Sequence, residues 1–188
     1  MEIFEDIYEN VIKRLESELP VSLTYHNADH TKYVLDRAHF LANREHLSNR
    51  EILLVKTAAL YHDTGFLVQR KDHEALSCKI AFNELQGSDF TSVELAEICA
   101  MITATRIPQS PKTLPEKIVA DADLFYLGTI DYEYFSGNLY SEMKHFDPEL
   151  TEKAWLKIQQ NFLSRHRYHT DYCKSVLEPL KERNLNSL

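Results

Sequence analysis

Only four glycines punctuate this chain of 188 residues, and only six prolines join them. Tight turns use glycine for positive φ and proline for a preset φ, so sandwiches, barrels and α/β folds with many short connections draw on both freely. Their scarcity here favours long helices. The apolar residues agree: Ile3, Ile7, Val11, Leu15 and Leu19 recur every four positions and stop at Pro20, the period of one helical face.

Capping chemistry marks further helices. A second is expected to open near 27–29 and to align His30, Val34, Ala38 and Leu41. Ser48 and Glu51 form a capping box for a third, which runs through Leu53, Leu54, Ala58 and Tyr61 and stops at Gly65. Asp72 is the expected cap of a fourth that reaches Gly87. Thr91 with Glu94 opens a fifth, and Thr113 with Glu116 opens the helix that carries Asp121 and Asp123. A helix over 131–146 is expected to be interrupted at Gly137. Asp147-Pro148 reads as the start of the next, and a last one over 170–183 is kinked or shortened by Pro179. No repeat, low-complexity tract or strand pattern is present. The expected fold class is all-α, a single-domain helical bundle over residues 1–188 with about eight or nine helices.

A net charge of −8 argues against a protein that grips a polyphosphate backbone, which needs clustered Lys and Arg. A local basic patch could still hold one small anion. Met1 leads directly into the first amphipathic pattern, without a signal-peptide profile, and no apolar run is long enough for a membrane span. Cys78, Cys99 and Cys173 are widely spaced and make no C-x-x-C, so reduced thiols in a cytoplasmic protein are expected.

The chemistry-bearing residues fall into three groups. His62-Asp63 ends an apolar helical stretch and precedes Thr64-Gly65. Successive side chains on a helix diverge by about 100°, so both can reach one cation only if it lies off the helix end. Upstream, His26 and His30 stand four apart and share a face if both are helical. Downstream, Asp121 and Asp123 flank the apolar stripe of Ile118, Val119, Ala122, Phe125 and Tyr126 on opposite sides, so periodicity does not choose between them. Imidazoles and carboxylates drawn from separate helices are what a divalent metal site with open positions needs. Lys71, His73 and Arg106 are candidate phosphate contacts, with Arg70 and Lys112 nearby. The run Arg165–His169 is a basic-aromatic cluster that either reaches a substrate or simply closes a helix.

The order H-x-x-x-H, then His-Asp, then a lone Asp two helices later resembles the HD superfamily of metal-dependent phosphohydrolases. The stretch Tyr25-His26-Asn27-x-x-His30 resembles its cyclic-nucleotide phosphodiesterase branch. The resemblance implies metal ligands at His30, His62, Asp63 and one of Asp121 or Asp123. Asp123 is favoured because apolar Leu124 and Phe125 follow it, as in relatives. It further implies that His26 protonates the leaving oxygen and that Asp63 helps to align the nucleophile. The glutamine nucleotide clamp of the phosphodiesterase branch has no counterpart here, which leaves a generic phosphohydrolase acting on a small phosphoester, a nucleotide first. The cofactor implied is one or two divalent ions among Mn, Fe, Ni, Co, Zn and Mg. The partners expected are that phosphorylated substrate and a second copy in a homodimer, with neither nucleic acid nor membrane. Two alternatives stand beside this expectation: an HD-fold metal oxygenase, and a non-catalytic module that binds metal and nucleotide.

Overall fold

The computed structural model describes residues 2–188 and contains nine α-helices and no strand among them. The all-α expectation holds. Two compact units are present: residues 1–19 with 26–123, and residues 20–25 with 124–188.

The first unit contains α1 (Glu2–Glu18), α2 (Ala28–Arg44), α3 (Asn49–Tyr61), α4 (His73–Leu85), α5 (Ser92–Thr103) and α6 (Leu114–Asp123). On α1, Phe4, Val11, Ile12 and Leu15 are buried and Ile7 is half-buried, as is Leu19 just beyond the helix; the side chain of Ile3 lies outside the described residues. Asn27 accepts from the Asp29 and His30 amides, and the capping boxes Ser48/Glu51 and Thr91/Glu94 are closed reciprocally. At α6, Thr113 Oγ1 accepts from the Glu116 amide, but Glu116 Oε2 accepts from the Lys112 amide in place of that of Thr113, so this box stays half-closed. Helix α2 packs on α3 and α6, and α5 on α3 and α4. Their shared core holds Val34, Ala38, Val55, Ala58, Ile98, Ile102, Ile118 and Val119, all fully buried. Alanines at 38, 58, 59, 120 and 122 keep the facing backbones close, which lets short side chains of α2, α3 and α6 meet at one point.

Gly65 does not end α3 as a left-handed stop. It lies inside a 3₁₀ turn (Thr64–Leu67), where a Cβ would stand 2.0 Å from the His73 carbonyl oxygen. The glycine is required by this close approach, which brings the start of α4 against the His-Asp doublet. Asp72 also departs from expectation. Its backbone is left-handed (φ 54°) and its carboxylate makes no capping hydrogen bond to α4.

The second unit contains α7 (Tyr132–Phe146), α8 (Glu152–Arg165) and α9 (Glu178–Ser187). Gly137 does not interrupt α7, because one exposed glycine costs only about 1 kcal/mol relative to alanine and the rest of the helix supplies it. Asp147-Pro148 does not start α8. Asp147 Oδ1 accepts from the Glu149 amide and its carbonyl from the Leu150 amide, so the pair makes a turn and Thr151 becomes the cap. Before Pro179, the chain widens into a π turn (Cys173–Leu177). The proline then falls in the first turn of α9, where its missing N–H has no intrahelical acceptor to satisfy. The Arg165–His169 run is largely structural: His166 and Tyr168 are buried, and the Tyr168 hydroxyl donates to the Leu124 and Phe125 carbonyls.

Candidate metal centre

Four side chains from three helices of the first unit converge. The Asn27 cap fixes the first turn of α2 so that His30 joins its buried face. The end of α3 delivers His62 and Asp63, and the last residue of α6 is Asp123. His30 Nε2 lies 3.2 Å from Asp123 Oδ1, 3.4 Å from His62 Nε2 and 3.6 Å from Asp63 Oδ2. His62 Nε2 is 3.2 Å from Asp63 Oδ2 and 3.6 Å from Asp123 Oδ1. Ligands on neighbouring corners around a cation at about 2.1 Å stand about 3.0–3.4 Å apart, so His30, His62 and Asp123 have the mutual spacing of a possible coordination shell, with Asp63 beside the two imidazoles.

The donor chemistry also fits. His62 Nδ1 donates to the Ala59 carbonyl at 2.8 Å, which turns Nε2 into the cluster and orients the ring as an outer partner of a metal ligand does. Asp63 Oδ2 is buried and receives no hydrogen bond, a costly condition that a bound cation relieves. Electrostatics records the same crowding. Burial disfavours the charged His62 ring, yet Asp63 and Asp123 outweigh it and hold the imidazole well above its ordinary range. Burial likewise pushes both carboxyls up, but the facing imidazoles win. Asp63 is held well below the carboxylate range, and Asp123 is brought down to about 2.

The flanking residues divide. His73 Nδ1 donates to the Arg70 carbonyl, and its Nε2 lies 3.3 Å from Asp63 Oδ1, the carboxylate oxygen turned away from the four-group cluster. Burial lowers His73, but the Asp63 carboxylate more than compensates and raises it. His26 precedes α2, so the helical H-x-x-x-H geometry does not form. Its half-buried ring stacks on Phe66 at 4.3 Å and stands 6.1 Å from the rings of both His30 and His73. Arg106 Nε pairs with Glu74 Oε2 at 3.5 Å, and Glu74 Oε1 is 3.8 Å from His73 Nε2. Lys71 is exposed, and its ammonium makes no ion pair among the described residues. Asp121 is fully buried, apart from the cluster that Asp123 joins. Sequence reasoning missed Glu74 and Phe66. Glu74 reads as an ordinary first-turn acid, and only the Gly65 approach, which seats α4 here, reveals its position.

The family model of the HD domain matches residues 27–126, which include all four converging groups. The chain belongs to the HD-domain family. That domain is the mark of a superfamily of metal-dependent phosphohydrolases. Among solved structures, the HD-domain chain resembles the crystal structure of Bacillus subtilis YpgQ in complex with ADP, with a TM-score of 0.66 and 20% identity over 96% of this chain and 90% of that one. This likeness establishes a common fold. No curated protein matches. No helix among the described residues is long and apolar enough to cross a membrane.

Proposed function

We propose that the protein is a metal-dependent phosphohydrolase that cleaves a small phosphoester, a nucleotide first, with residues 1–188 working as one HD-type domain. The observation that carries this reading is the approach of His30, His62, Asp63 and Asp123 to 3.2–3.6 Å, together with the buried Asp63 Oδ2, which makes no hydrogen bond. These four residues would hold the divalent ion, Mn, Fe, Ni, Co, Zn or Mg. When bound, it supplies Lewis acidity and charge neutralisation at phosphorus.

The surrounding residues then take distinct tasks. Asp63 orients the attacking water through the oxygen not used for coordination. His26, held flat against Phe66 rather than within the cluster, protonates the departing oxygen. His73, whose imidazole Asp63 pulls above its ordinary range, and Arg106, anchored by Glu74, counter the phosphate charge, with Lys71 reaching in from the exposed turn. The nucleotide preference draws support from ADP in the YpgQ crystal.

The test is elemental analysis of purified protein, followed by phosphate release from nucleoside mono-, di- and triphosphates and nitrophenyl esters with each cation. Turnover that tracks a bound stoichiometric metal is expected. Metal and nucleotide binding without turnover would instead identify a regulatory module, and oxygen consumption by an iron-loaded form an oxygenase.

A further inference from the structure

The three cysteines, far apart in sequence, do not stay apart. Cys78 of α4 and Cys99 of α5 are both half-buried, and neither is in a disulfide. The Cys78 thiol lies 3.3 Å from the Cys99 carbonyl and the Cys99 thiol 3.5 Å from the Cys78 carbonyl, so each sulfur reaches across to the other residue's backbone. The Thr103 hydroxyl stands 3.5 Å from the Cys78 sulfur. Cys173, by contrast, is fully buried in the second unit.

We infer that Cys78 and Cys99 are a peroxide-sensitive dithiol, in which Cys78 is the attacking sulfur and Cys99 the resolving one. The asymmetry between them sets the roles. Hydrogen bonds from Cys99 and Thr103, with the Arg106 cation nearby, bring Cys78 down to about 7, whereas Cys99, facing Cys78, is pushed up. In the first step the Cys78 thiolate attacks one oxygen of a hydroperoxide. The S–O bond forms, the O–O bond breaks, the peroxide is reduced by two electrons, and the leaving hydroxide or alkoxide takes a proton from solvent and departs as water or alcohol. Cys78 is now a sulfenic acid. In the second step the Cys99 sulfur attacks Cys78: the S–S bond forms, the S–O bond breaks, and the hydroxide released takes the Cys99 proton and leaves as water. The disulfide ties α4 to α5 one helical turn beyond Glu74, which anchors Arg106, so the modified pair sits directly under that arm of the first unit.

The full-length protein, treated with one equivalent of hydrogen peroxide and then alkylated, tests this without any variant. Trypsin cleaves after Lys71, Lys79 and Arg106, so the expected product joins peptides 72–79 and 80–106 and is two hydrogens lighter than their sum. Cys78 should lose reactivity toward a thiol reagent about tenfold faster than Cys173. In Cys99→Ser, a sulfenic acid at Cys78 should accumulate and be captured by a 1,3-dione, and a reductant should reverse the wild-type cross-link. Recovery of peptides 72–79 and 80–106 only as separate alkylated species overturns the inference. So does equal oxidation of Cys173, or a sulfenic acid found on Cys99 in place of Cys78.

Discussion

Both units of the molecule bury charge, and they do so in opposite ways. In the second unit, Lys181 is 1% exposed, and its ammonium donates to the His166 carbonyl and, at 2.6 Å, to Glu178 Oε1. A cation meets a carboxylate and a carbonyl, and that account closes within the chain. In the first unit, two imidazole nitrogens and two carboxylates crowd to 3.2–3.6 Å, and one buried carboxylate oxygen makes no hydrogen bond. On the proposed function, a cation from outside closes that account. A buried polar cluster rich in donors and acceptors alike serves the fold, whereas one with surplus acceptors is aimed at a ligand.

The largest expected effect separates the two at once. His62→Ala should lose stoichiometric metal and reduce phosphate release by about a thousandfold or more, with the helical circular dichroism kept. A variant that retains both metal and turnover would make the first cluster as internal as the second. Lys181→Met should do the reverse. It keeps the apolar stem but strands Glu178 and the His166 carbonyl, so urea unfolding should show a loss of about 3 kcal/mol while metal content and turnover per folded molecule stay unchanged. A neutral Lys181→Met would place that cluster among ornamental ion pairs and blunt the contrast.

The two clusters were not equally legible in the sequence. The ligand set stands on helix faces that caps and periodicity define: Asn27 positions His30, and Ser48 with Glu51 sets the register that ends at His62. The choice between Asp121 and Asp123 was open to periodicity because both flank the apolar stripe; packing against α2 and α3 brings Asp123, not Asp121, to the two imidazoles. Lys181 and His166 carry no local signal of burial, since a lysine in a polar C-terminal helix reads as solvated. Glu74, Phe66 and the Cys78–Cys99 pair stayed invisible for a related reason: the seat of α4 depends on a carbonyl that only Gly65 can admit. Asp147-Pro148 misled because the hydrogen bonds of a helix cap and of a turn use the same acceptor.

Metal binding and pH sharpen the contrast further. A cation present at about a hundredfold over its Kd should stabilise the wild type by about 2.7 kcal/mol, a Tm rise of about 5–10 °C, and should do the same for Lys181→Met but nothing for His62→Ala. The rise should also grow with pH. In the metal-free protein His62 is held above its ordinary 6.5, so its proton contributes stability that is fully present below that value and fades as pH climbs through the folded one. The cation needs the same Nε2 lone pair and competes with that proton. Thermal scans with and without metal should therefore diverge more at about pH 9 than at about pH 6. A constant gap would mean that no proton leaves His62 on binding.

The smallest effect comes from a charge cluster that is neither closed inside nor aimed at a ligand. On the surface, Arg50 grips Glu94 through Nε at 2.5 Å and Nη2 at 2.8 Å, and Glu94 also accepts the Thr91 amide in its capping box. The Arg50 hydrogen bonds, followed by that of the Thr91 backbone, hold the Glu94 carboxyl at about 2. A depressed carboxyl contributes stability above its unfolded value of 4.5, and the contribution is lost as pH falls through about 2. Glu94→Gln keeps the shape and one acceptor but not the charge. Its Tm should lie slightly below that of the wild type at neutral pH, the two should merge near pH 2, and added salt should narrow the gap because water and ions reach both partners. A gap that ignores salt would mean that the capping geometry, rather than the charge, carries it. The surface pair would then supply no reference against which either buried cluster can be scaled.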